Sequence, residues 1–349
     1  MSIELAGAGD AGSSPSPLIG SATGIGSWPG IDVVAAARAS FDELGEAPHL
    51  PFLPELPARG PGADMIGRTA SLLVDLPVDL QPSGWRLVDH PGRDLNRAIA
   101  WLRQDLDVLA EVGDGYEGRL KLQATGPWTL AAQTWLPRLE RVVVDPGAVR
   151  DLTGSLAEGL ARHVEEVRRL LPGAQVVVQL DEPSLDAVLG GSLPTASGFG
   201  RLRAVEESVV LEALRSVFDA VTAAGAVGTA VHSCATAPPV DVLVRSGASA
   251  VSLDVSRLAV AGWERLAEAV EGGISLWAGV VSTASARPDA VADVVWNRWR
   301  RLGLAPALAG SVVVTPVCGL AGASSPRAAV EALRLAKRAA EVLAERSVE

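Results

Sequence analysis

Covalent chemistry has few places to start in this sequence. Among 349 residues there are two cysteines and two lysines. The cysteines, Cys234 and Cys318, stand far apart with no C-x-x-C pair, so no metal site follows from local spacing alone. Lys121 and Lys337 offer little for Schiff-base chemistry, and Lys121 falls at the start of an expected strand, away from the expected site at the C-terminal strand ends. There is no P-loop, and GIGSWPG at residues 24–30 is not the G-x-G-x-x-G of a dinucleotide site. No apolar run is long enough to span a bilayer. Positive charge is also scarce: a net charge of -11 argues against a nucleic-acid or anionic-membrane surface. The first twenty residues have no basic start and no long apolar run. They are expected to be neither signal peptide nor anchor, and their Gly/Ser/Pro content predicts a disordered tail over 1–20. A cytoplasmic globular protein is the expectation that remains.

What is present is a hydrophobic content of 48%, enough to bury a sizeable core. The chain alternates β-branched runs with amphipathic stretches. Strands are expected near residues 22–30, 49–57, 119–127, 174–183, 227–232, 248–256, 274–281 and 311–319. Helices are expected at 31–45, 95–112, 148–171, 206–225, 258–272, 288–302 and from Pro326 onward. Residues 58–94 show the least regular pattern and read as a long excursion over one face. Eight strands in this order predict a single (β/α)8 TIM barrel over residues 21–349, with a doubly wound sheet as the alternative. In such a barrel the chemistry sits at the C-terminal strand ends. Those ends carry Ser27, Glu55, Asp181, His232, Cys234, Asp254 and Cys318.

The centre of the pattern is VGTAVHSCAT, residues 227–236. Side chains two apart on a strand share a side, so His232 and Cys234 are aimed together. Cys318, just past SVVVTPV, would be a third donor from another strand end. Imidazole and thiolate suit zinc. The plainer readings are two small buried cysteines with a hydrogen-bonded core histidine, or a Cys234–Cys318 disulfide. Ser27 could simply end a strand, and Asp181-Glu182-Pro183 could be a turn or helix cap. Arg298, Arg300 and Arg301 read as a solvated helix face.

Taken together, these strand ends resemble the catalytic barrel of cobalamin-independent methionine synthases, within the wider group of zinc thiol-alkyltransferases related to uroporphyrinogen decarboxylase. GIGSWP looks like the family's IGS(F/W)P turn, QLDEP like its DEP motif, HSC like its His-x-Cys zinc pair and TPVCGL like its last zinc cysteine motif. The resemblance runs from Thr23 to Leu320. It implies Zn2+ held by His232, Cys234, Cys318 and an acidic ligand at Asp254, in the stretch VSLDVSR. It further implies that Ser27 holds the carboxylate of homocysteine and Asp181 its amine. Glu55 and the Asp64-Met65 pair fall, more loosely, on a substrate-contacting stretch. The implied reaction is methyl transfer to the homocysteine thiol, forming methionine.

Three features depart from that family. The folate-binding N-terminal half of the full-length synthase is not present in this sequence. The acidic ligand position holds Asp rather than the usual Glu. Where the family writes Gly-Val-Tyr-Asp-Ile-His-Ser-Pro-Arg, residues 279–287 read GVVSTASAR, so Ala284 stands at the catalytic histidine and Ser282 at its aspartate partner. No catalytic side chain beyond the zinc site is therefore expected. Methyltetrahydrofolate needs a proton on its departing nitrogen, a contribution of about a hundred- to ten-thousandfold. A methyl-corrinoid needs none, and is the expected donor. The alternatives are an alkyltransferase acting on another thiol such as coenzyme M, a non-catalytic zinc-binding barrel, and a metal-free decarboxylase.

Overall fold

The computed structural model describes residues 18–138, 140–282 and 287–349. Most of the expected tail, residues 1–17, lies outside them.

From the N-terminal side the chain forms α1 (Val33–Leu44), α2 (Met65–Ala70), the hairpin strands β1 (Val78–Gln81) and β2 (Gly84–Leu87), and α3 (Arg93–Val112). Then come β3 (Arg119–Thr125), α4 (Pro127–Gln133), α5 (Pro146–Leu170), β4 (Gln175–Asp181), α6 (Leu185–Leu189), α7 (Glu207–Ala223), β5 (Gly228–Ser233) and α8 (Val240–Val244). The remainder is β6 (Ala250–Asp254), α9 (Val260–Glu271), β7 (Ser275–Val281), α10 (Pro288–Leu302), α11 (Pro306–Ala309), β8 (Val313–Pro316) and α12 (Pro326–Ser347). The helix starts obey capping chemistry: Asp32, Asp145 and Ser325 each accept a backbone N–H of the first turn of α1, α5 and α12.

Strands β3 to β8 make one parallel six-stranded sheet in sequence order, each strand paired with the next. Its two faces differ in chemistry. Leu120, Leu122 and Ala124 of β3, and Val176, Val178 and Leu180 of β4, join the large core beneath the helices. The alternate residues face inward. Toward the N-terminal ends they form a small apolar cluster of Leu50, Val177, Ala230, Ala250, Trp277 and Val313. Toward the C-terminal ends they are polar and still buried, including Gln123, Gln179, Asp181, His232 and Ser252.

Two of the eight expected strands are not regular. The segments around residues 22–27 and 49–55 make isolated parallel bridges: Ala22 to Val314, Thr23 to Leu50, Ser27 to Glu55 and Phe52 to Lys121. Gly24, Gly26, Pro51 and Pro54 interrupt what would otherwise be ladders, since proline has no N–H to give and glycine packs nothing. The regular sheet therefore has six strands, flanked by two extended segments bridged to β8, to each other and to β3.

The stretch from 58 to 94 is more ordered than its sequence suggested. It holds α2 and the β1–β2 antiparallel hairpin, whose alternation of Val78 and Leu80 against Trp85 and Leu87 is short but real. Hydrophobic residues from both strands pack with Ala70 and Leu95. Arg59 and Arg68 both pair with the buried Asp105 of α3, Arg59 at 2.8 Å, and anchor the excursion to the body.

Candidate metal centre

The strand alternation of β5 sends His232 and the following Cys234 to one side, and β8 delivers Cys318 just past its end. One donor atom from each lies within 4.8 Å of the others. His232 is buried, Cys234 half-buried and Cys318 exposed, so the cluster is rooted in the interior and open toward solvent. Neither thiol is in a disulfide. The two thiols titrate as a pair. Cys318 is pulled far below the usual thiol range by a hydrogen bond from Cys234 and by His232, and Cys234 is pushed up by the same hydrogen bond and by burial.

The imidazole is held from behind. Its Nδ1 lies 3.1 Å from Ser252 Oγ on the neighbouring strand β6. Its Nε2 is buried and, among the described residues, has no partner at hydrogen-bond geometry. A buried polar atom without a partner costs about 1–3 kcal/mol, so an unpartnered ring nitrogen beside two free thiols is a set of donors fit for a metal ion. One nitrogen and two sulfurs favour a soft or borderline ion over calcium or magnesium. Asp254 is not among these donors. At the C-terminal end of β6, its Oδ1 accepts from Ser256 N at 3.1 Å and Ser256 Oγ at 2.5 Å.

The expected substrate-contacting residues surround a buried polar floor. Ser27 ends the first bridged segment, and its Oγ accepts from Ala321 N at 3.3 Å in the loop that follows Cys318. Gly319 permits this approach: a Cβ there would stand 2.1 Å from Ser27 Oγ. Asp181 pairs in register with His232 and accepts from Gln179 Nε2 at 2.7 Å. Burial raises its carboxyl pKa, opposed by His232 and Lys121. Glu55, almost fully buried, has Gln123 Nε2 3.3 Å away. Burial pushes it up to about 7 against the pull of Arg68. Asp64 caps α2 through Ile66 N and Gly67 N, while Met65 O accepts from Thr125 Oγ1.

Three features went unread in the sequence, and Glu182 takes the helix-cap role that its motif allowed. Lys121, placed by sequence away from the site, is fully buried among these groups, and burial lowers it to about 7 against the pull of Asp181 and Glu55. Gln123 and Gln179 tie the two carboxylates to the first bridged segment and its neighbour. Ser252 orients the histidine. Glu182 turns away from the cluster and accepts from Trp128 N at 2.9 Å and from Thr129 N and Oγ1 at 2.7 Å, fixing the start of α4. The signal for the first three was polar residues at alternate positions of strands that are otherwise apolar: K-x-Q-x-T in β3, Q-x-D in β4 and S-x-D in β6.

The other histidines stand apart from the cluster. His49 is buried at the opposite strand ends, where its Nδ1 accepts from Ala22 N, and burial lowers it to about 4. His163 is buried in α5 and lowered to about 3, mainly by burial. His90 is exposed, in the loop before α3. Ala284 lies outside the described residues.

Comparison with known proteins gives the context for this cluster. No protein of curated function matches the chain. Among solved structures it is similar to a B12-independent methionine synthase from Shewanella sp. W3-18-1 in complex with selenomethionine, at 14% identity and a TM-score of 0.48, over 69% of this chain and 66% of that one. It is also similar to the carboxyl transferase domain of Rhizobium etli pyruvate carboxylase, at 14% identity and a TM-score of 0.27, over 94% of this chain and 55% of that one. The chain thus spans just under two thirds of the synthase's length. Residues 124–342, which include β4 to β8 and all three clustered donors, match the family described as cobalamin-independent synthase, catalytic domain, and the chain belongs to that family.

Proposed function

We propose that this protein is a zinc-dependent methyltransferase that methylates the thiol of homocysteine to form methionine, with a methyl-corrinoid as donor. The observation that carries the reading is the unpartnered, buried Nε2 of His232 beside the free thiols of Cys234 and Cys318. His232, Cys234 and Cys318 would hold the metal, and Asp254 would be a labile fourth ligand, released from Ser256 when it engages. Bound zinc supplies the Lewis acidity that keeps an incoming thiol as thiolate near neutral pH. We further propose that the six strands and two bridged segments act as the eight staves of one closed barrel over residues 21–349. Two free thiols suit a reducing compartment, the cytoplasm.

The chain's own residues do the rest. Asp181 and Glu55 receive the ammonium of the amino acid, and Ser27 Oγ–H points its proton at the carboxylate. Fixing both ends leaves the sulfur one direction of attack, and oriented reactants gain far more than ionisation alone. In the transfer the thiol gives up its proton, the S–CH3 bond forms as the donor's bond to methyl breaks, and the leaving group keeps the electron pair. His49 and His163, buried and lowered, are not placed to protonate a leaving nitrogen. A corrinoid, leaving as a stable reduced cobalt, needs no such proton. The carboxylate pair also disfavours coenzyme M, whose sulfonate would face two acidic groups.

The test is turnover of purified, zinc-loaded protein with homocysteine and a panel of donors. Methylcobalamin or a methyl-corrinoid protein should exceed methyltetrahydrofolate by roughly a hundredfold or more. Efficient turnover with methyltetrahydrofolate as sole donor refutes the donor assignment. Absence of turnover with every donor, in protein that retains zinc, favours the non-catalytic reading.

A further inference from the structure

Lys121 places a buried amine in a region otherwise furnished to receive one. Its Nζ donates to Ile25 O at 2.7 Å and to Gln123 Oε1 at 3.0 Å. The first contact grips the turn that carries Ser27. The second sets the orientation of the Gln123 amide, whose Nε2 is thereby turned to Leu53 O at 2.6 Å and Glu55 Oε1 at 3.3 Å. Ile25 O is shared: Gln179 Nε2 reaches it at 2.9 Å and holds Asp181 Oδ1 at 2.7 Å. Gly26 lies directly over this layer, since a Cβ there would come within 2.6 Å of the Gln123 side chain. One buried amine thus reaches both acidic groups, Glu55 through Gln123 and Asp181 through Ile25 O and Gln179.

We propose that Lys121 is a positioning residue for acceptor selection: through Gln123 and the Ile25 carbonyl it holds Glu55 and Asp181 in the arrangement that grips the ammonium of a thiol-bearing α-amino acid. The inference rests on the acceptor assignment made above. Lys121 itself stays below the acceptor, held by its two hydrogen bonds and with its Nζ 5.4 Å from the centroid of the Phe52 ring. Its removal leaves Ile25 O with one donor and the Gln123 amide free to turn over. Selection for the ammonium then fails while the metal donors, which it does not touch, remain.

The discriminating pair is homocysteine and 4-mercaptobutyrate, the same thiol acid without the ammonium. Binding of each to zinc-loaded wild-type, Lys121→Met and Gln123→Met protein is measured by calorimetry, with zinc content and melting temperature determined in parallel. Wild type should prefer homocysteine, and both variants should lose about tenfold or more of that preference with zinc content unchanged. Gln123→Met keeps the size of the side chain and carries the test if Lys121→Met does not fold. If both thiols weaken equally and the preference survives, Lys121 is merely structural and the inference is overturned. If wild type itself does not prefer homocysteine, the acceptor assignment fails, and the inference with it.

Discussion

Glu55 should weaken the fold at the pH where it is useful. It is almost fully buried and, among the described residues, its one side-chain hydrogen bond comes from Gln123. Burial outweighs that bond and the nearby Arg68, and Asp181 adds repulsion, so its pKa moves from 4.5 to about 7. For a carboxyl raised in the folded state, the stabilising contribution is complete below about pH 4.5 and is lost as pH rises through about 7. A shift of that size corresponds to about 3 kcal/mol. Glu55→Gln keeps the shape and cannot ionise. In metal-free protein, the variant and wild type should therefore melt alike at about pH 4. By about pH 8 the variant should be more stable by about 3 kcal/mol, or about 5 °C in a chain of this size. Thermal unfolding followed by circular dichroism across that range measures it. A difference that does not change with pH, or a variant less stable at the alkaline end, refutes the reasoning. The same variant should bind homocysteine more weakly, a stability gained at the expense of function.

The candidate metal centre gives three further expectations. Cys318→Ser should lose most of the zinc that wild type retains through purification without added metal, and full occupancy in the variant would count against the centre. Asp254→Asn should weaken zinc retention less than Cys234→Ala, because the Asp254 carboxylate already has a second home at Ser256; an equal or greater loss would make it a permanent ligand. Ser252→Ala frees His232 Nδ1 and should lower zinc affinity about 10- to 100-fold, as for other groups that orient a ligating histidine, and a chelator competition titration reads it.

The succession of strands and helices was legible because hydrophobic periodicity is local, as in β4 and β5. The three clustered donors were legible too, because alternation along a strand and the position of its end fix where His232, Cys234 and Cys318 emerge. The irregular first two segments were harder. Their composition is apolar, but whether Pro51 and Pro54 interrupt a ladder depends on which neighbour they face. Likewise the β1–β2 hairpin is too short for its alternation to stand out from the loop around it. The role of Lys121 was not legible at all. In sequence it begins a strand far from any motif, and only the packing of Ile25, Gln123 and Gln179 against it turns a lone lysine into part of the floor. The same holds for Ser252 behind His232 and for Ser256 on Asp254, since side-chain reach is decided by the register of adjacent strands and the turn after β6. The sequence by itself thus determined the alternation of β3 to β8 with their helices and the places from which His232, Cys234 and Cys318 emerge, because both follow from local pattern. Which side chains meet across strands was decided by the tertiary structure, because curling a sheet brings together residues that no spacing along the chain relates.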